Sequence, residues 1–197
     1  MKSLQRTFMW RLALSGLVAL FVLAMLVWEN FNGGIKTHNI LQSAAMPGIS
    51  NAWNVLLLPG LTWFLSGRIS RRITLHRIAH YQSAPDAITY TSNAETLPAN
   101  AMLGFLGALV FGTLLSVFFA LGNDEITAII FFGILLSALV LPVYRAECVL
   151  GFVLGMTFIF GAFIPIMIGS IIAAIAAIIQ RLIYPLLARV WRRIAIQ

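Results

Sequence analysis

From Cys148 to Ile179 the chain holds 32 residues without one charged side chain. As a single straight helix at 1.5 Å per residue this stretch would measure about 48 Å, against a hydrocarbon core of roughly 30 Å. It therefore points to a bilayer as solvent and to a break inside the segment. The composition agrees. Of 197 residues 60% are hydrophobic and 10% charged, where soluble domains carry about 25% charged residues. An ordinary globular domain is excluded on that ground, and a disordered chain more firmly. Hydrocarbon offers backbone groups no hydrogen bonds, so the expected class is an all-α integral membrane protein, with residues 1–197 forming one polytopic domain.

The apolar runs and the charges between them predict a threading. Lys2, Arg6 and Arg11 precede a first span at 12–28, and Trp10 and Trp28 bracket it at headgroup depth, where tryptophan rings collect. The run passes into Glu29 without a small-residue cleavage site, so it reads as an uncleaved anchor. A second segment, 49–66, is weaker: Asn51 and Asn54 sit in its first turns and Pro59-Gly60 interrupts its centre. It reads as a kinked span, with a re-entrant segment as the alternative. Residues 67–99 read as a basic cytoplasmic loop, a short surface helix followed by a Ser, Thr, Asn and Pro-rich stretch. Spans are expected at 100–121 and 126–144, with Asn123, Asp124 and Glu125 capping the latter.

The long uncharged segment divides at Pro165 into spans 148–164 and 166–183, or else forms one long kinked helix. Charge placement favours the division. With six spans and the amino terminus inside, 12 of the 13 Lys and Arg residues lie on the cytoplasmic side and Lys36 alone lies outside; five spans leave 8 against 5. The positive-inside rule selects six, with both termini cytoplasmic, and the compact loops and absence of disulfides suit a multi-pass inner (plasma) membrane protein. The turn Ala162 to Pro165 is wholly apolar, which is poor chemistry for a loop reaching water. Residues 185–197 form an amphipathic pattern, with Arg189, Arg192 and Arg193 on one face and Leu186, Leu187, Val190, Trp191 and Ile194 on the other. That is the signature of an interfacial helix drawn to anionic membrane lipids.

Lipid does not push helices together, so close contacts rely on small residues. Gly104, Ala108, Gly112, Ser116 and Ala120 recur every four residues in the third span. Gly151 with Gly155, and Gly169 with Ala173 and Ala177, repeat the device. These stripes fit packing inside the chain's own bundle or against another membrane protein.

The vocabulary of catalysis is sparse. His76 and His80 share a helix face at i and i+4, with Glu147 and Cys148 as the only further ligand types at that side, but two imidazoles do not make a metal site. One cysteine excludes an internal disulfide. No hydrolase, phosphate-loop or paired-carboxylate motif is present, and no cofactor is expected. Asn51 and Asn54 are the polar intramembrane groups that their own helix cannot fully satisfy. Arg68, Arg71, Arg72 and Arg77 form, with the tail arginines, a surface for lipid or partner rather than for nucleic acid, since no aromatic platform accompanies them. The leading expectation is a nonenzymatic accessory or assembly subunit packing against larger membrane partners. A small channel or passive transporter hinged at Pro59 and Pro165 is the alternative, and a membrane enzyme the third reading.

Overall fold

A computed structural model describes residues 2–34, 37–39, 48–83 and 87–194. Among these the order is α1 (Lys2–Phe31), β1 (Thr37–Asn39), β2 (Gly48–Ser50), a single tight turn Asn51–Trp53, α2 (Asn54–Ser83), α3 (Ala87–Ala120), α4 (Asp124–Val140), α5 (Ala146–Phe160), α6 (Phe163–Ile178) and α7 (Tyr184–Ile194). The two short strands pair antiparallel, Thr37 opposite Ser50 and Asn39 opposite Gly48. The protein is an all-α integral membrane protein. Helical stretches Thr7–Phe31, Pro98–Ala120 and Phe163–Arg189 are each long and apolar enough to cross a bilayer, and Ala146–Phe160 is a shorter apolar helix.

Three boundaries depart from the expected ones. First, residues 67–99 are mostly helix: α2 runs on to Ser83 and α3 begins at Ala87. Neither Arg68–Ser83 nor Ala87–Leu97 contains a glycine or proline, so nothing local stops either helix. Second, Pro165 is not the break in the uncharged segment. It is the third residue of α6, where an amide has no intrahelical partner to lose. The break lies at Gly161, with φ 68° and ψ −175°, a conformation that a side chain strongly disfavours. Third, the tail helix α7 begins at Tyr184 and follows α6 without a loop between them. A wider π-turn over Ile179–Ile183 joins α6 to α7, and the Tyr184 N–H reaches back five residues to the Ile179 carbonyl. The widened turn sits where the ring of Pro185 would otherwise meet the carbonyl of Arg181.

Contacts between the helices fix their relative directions. Phe8 and Arg11 meet Trp63, while Glu29 meets Asn51, so α1 and α2 are antiparallel. Gly151 approaches Phe105 and Gly155 approaches Leu109 and Thr113, so α3 and α5 are parallel. Tight turns at Gly122 and Gly161 send α4 back along α3 and α6 back along α5, and Gln180 and Tyr184 bond to carbonyls at the end of α4. Helices α1, α3 and α5 therefore run one way and α2, α4 and α6 the other.

The centre of the bundle is α5, buried from Leu150 to Val153 and from Gly155 to Thr157. Its glycines bring its backbone against that of α3. A methyl group on Gly155 would lie 2.5 Å from the Leu109 carbonyl oxygen and one on Gly112 2.7 Å from the Phe152 oxygen; on Gly151 it would collide with the Phe105 oxygen. The stripes Gly104, Ala108, Gly112, Ser116 and Gly151, Gly155 thus meet one another inside the chain, and Ser116 Oγ donates to the Gly155 carbonyl at 3.5 Å. Ala120 lies beyond the contact and is exposed. On α6 the buried positions are Pro165, Gly169, Ile172 and Ala176, so Ala173 and Ala177 sit at the edge of that face rather than on it.

Because rigid backbone, not a flexible side chain, occupies the space beside these glycines, Gly151→Ala and Gly155→Ala should each lower stability by about 1–3 kcal/mol. Gly16→Ala, with open space around it, should cost nothing. Thermal melts of the purified protein in detergent check this, and equal melting of Gly151→Ala and Gly16→Ala would refute the contact.

Candidate functional site

Two polar clusters and one crevice stand out from the apolar interior. At one end, Asn51 Nδ2 donates to Glu29 Oε1 at 2.6 Å, and Asn54 Nδ2 donates to Asn51 Oδ1 at 3.3 Å. Asn54 Oδ1 in turn accepts the Ala162 N–H at 2.9 Å. All four residues are buried, Ala162 completely. The apolar turn between α5 and α6 therefore does not need water, because Asn54 satisfies the amide that the turn leaves open. One chain of side-chain bonds ties α1, the start of α2 and the α5–α6 turn together.

At the other end, Arg72 Nη2 donates to Glu147 Oε1 at 2.7 Å, with Glu147 2% exposed and Arg72 32%. The arginine comes from the extended part of α2 and the carboxylate from the first turn of α5. Arg11 lies between the two levels: its Nη2 donates to the Trp63 carbonyl at 2.9 Å and its guanidinium covers the Trp63 ring at 4.2 Å. Gly67 makes this possible, since a methyl group there would fall 2.7 Å from the Arg11 guanidinium. Residues 54 and 72 of α2 are 18 apart, about 27 Å along a helix and close to the roughly 30 Å of bilayer hydrocarbon.

Between α3 and α4, backed by α5 and α6, lies a crevice of about 470 Å³, within the range of small-molecule sites. Its wall is apolar along Gly107, Phe111, Gly133, Ile134, Phe152 and Ile172, and one end carries Asn100, Arg145, Glu147 and Cys148. Gly107 and Gly133 leave it open, with no atom within 4 Å of where their side chains would start. Leu103, Phe111 and Leu141 line it while remaining 68%, 53% and 55% exposed, so it opens sideways as well as at its polar end.

The other candidate residues fall as follows. Arg72, read as a surface residue, is turned inward onto Glu147. Arg68 lies over the Phe64 ring at 5.3 Å, and Arg71 and Arg189 are exposed. The side chains of Arg77, His80, Arg192 and Arg193 lie outside the described residues. His76 is exposed, Glu147 is engaged with Arg72, and Cys148 packs against Gly104. Among the described residues no group of three or more His, Cys, Asp or Glu converges. Pro59 lies within a continuous α2.

Sequence reasoning missed several partners. The Gln180 amide donates to the Leu141 carbonyl at 2.5 Å and the Ala138 carbonyl at 3.2 Å, and the Tyr184 hydroxyl to the Leu139 carbonyl at 2.7 Å. Together they satisfy carbonyls that the end of α4 exposes. Their signal was a lone glutamine ending an otherwise apolar helix. The chain matches no family model, no curated protein and no solved structure.

Removing either cluster's central member should unbalance it. Asn54→Ala strands the buried Ala162 amide and should cost about 1–3 kcal/mol. Arg72→Ala leaves the Glu147 carboxylate buried and alone, at about 3–5 kcal/mol. The double change Arg72→Met with Glu147→Met should recover most of the second loss, measured as melting in detergent; a double variant no better than Arg72→Ala would count against the pairing.

Proposed function

We propose that the protein is a nonenzymatic, multi-pass accessory subunit of the inner (plasma) membrane that holds the apolar part of a membrane molecule in the α3–α4 crevice. The observation that carries this reading is the crevice itself: apolar along its length, polar at one end only, and open at its side. Chemistry is not asked of it. Glu147, the carboxylate at its polar end, is paired with Arg72 through one oxygen, and Glu29 is bonded by Asn51. A channel would need polar groups along a path between the two clusters, whereas α5 between them presents Leu150, Val153 and Met156 to the buried interior.

The same reading includes six crossings with both ends cytoplasmic. The alternation of helix directions supports it, as does the spacing of the polar clusters. Arg68, Arg71, Arg72, Arg145 and Arg181 then share one side with the amino terminus, as the positive-inside rule requires. The α3 and α5 stripes are spent on each other, so contact with larger partners falls instead to the outward faces, and α7 with Arg189 lies against anionic headgroups.

Two measurements test the proposal. A cytoplasm-active reporter fused after Gln197 should be active and one inserted after Asn123 inactive; the opposite pattern overturns the threading. A pyrene-labelled fatty acid should bind the purified protein saturably, and Gly107→Phe with Gly133→Phe should weaken it about tenfold, or about 1.4 kcal/mol, with the melting temperature kept. Non-saturable binding, or binding indifferent to those two changes, would remove the crevice as a site.

A further inference from the structure

The geometry points to an anionic phospholipid of the inner leaflet as the occupant of the α3–α4 crevice, one acyl chain inside and its phosphate on Arg145. This inference rests on the reading of that crevice as a binding site and names its ligand. Depth is the first argument. The polar end, with Asn100 and Arg145, lies at the level of the Arg72–Glu147 pair, and the apolar wall runs from there past Gly107 to Phe111 and Gly133. A head at the membrane surface and a tail directed inward fit that order of residues, and the sideways opening at Leu103, Phe111 and Leu141 admits a chain from the surrounding lipid.

Charge is the second argument. Glu147 and Arg72 neutralise one another, and among the described residues Arg145 has no ion pair. Its side chain makes no capping bond to the first turn of α5. Nearby, the Arg181 guanidinium lies over the Tyr144 ring at 4.5 Å. The polar end thus carries an excess of positive charge, and guanidinium groups suit phosphate through paired N–H donors. A zwitterionic choline head brings a compensating cation that the excess positive charge disfavours. A neutral lipid leaves Arg145 without an anion.

Native mass spectrometry of the intact protein, with phosphatidylglycerol, phosphatidylethanolamine or phosphatidylcholine of matched acyl chains, tests this. Phosphatidylglycerol should be retained about tenfold over phosphatidylcholine. Arg145→Gln should reduce that ratio to about one, and Arg145→Lys should keep part of it, both with the melting temperature of the unaltered protein kept. Equal retention of the lipids by the unaltered protein, or an unchanged preference in Arg145→Gln, overturns the assignment of the head while leaving the crevice as an apolar site. Loss of saturable pyrene binding in the unaltered protein overturns the crevice reading itself.

Discussion

Inside hydrocarbon a polar group without a protein partner costs several kcal/mol, and that constraint organises this bundle. The amide of Ala162 is the clearest case. A helical hairpin whose turn is made of Gly161 and Ala162 has no side chain of its own to satisfy that N–H. The chain supplies Asn54 from another helix, Asn51 holds Asn54, and Glu29 holds Asn51. Four residues from three parts of the sequence become one structure because a single amide has to be satisfied away from water.

The same constraint explains where the glycines fall. Backbone contact between α3 and α5 gains dispersion energy without exposing either helix's hydrogen bonds, and it requires that Gly112, Gly151 and Gly155 lack side chains. With α5 held this closely, its ends are fixed, and Glu147 meets Arg72 as Ala162 meets Asn54. Packing in the middle and polar pairing at the ends are therefore one arrangement.

Much of this was legible in the residues. The membrane class followed from a 32-residue uncharged run, and the recurrence of Gly104, Ala108, Gly112 and Ser116 marked a packing face whose partner is now α5. Asn51 and Asn54 were marked as amides in need of partners. What was not legible depended on tertiary neighbours. Pro165 looked like the breaker because proline usually is one, yet in a first turn it has no amide to lose, and Gly161 alone could adopt the conformation of the turn. Arg72 looked like its exposed neighbours because spacing along α2 does not reveal that Glu147, 75 positions away, lies opposite. Gln180 gave a signal only in being polar where its neighbours were not. The crevice had none, since Gly107 and Gly133 resemble packing glycines until the space beside them is known to be empty.

The length of α5 joins these points. Its 15 residues extend about 22 Å, short of the roughly 30 Å that a lipid-facing helix has to match. A helix buried on nearly all sides meets protein rather than lipid, so the mismatch costs little where α2, α3 and α6 surround it. Both of its ends then lie below the depth that surrounding helices reach, and polar groups must come inward to meet them: Asn54 at one end, Arg72 at the other. The crevice opens beside the Arg72 end, where α4 stops at Val140 and the chain passes through Arg145 into α5. A short central helix thus places an arginine next to an apolar hollow at one end of the bundle.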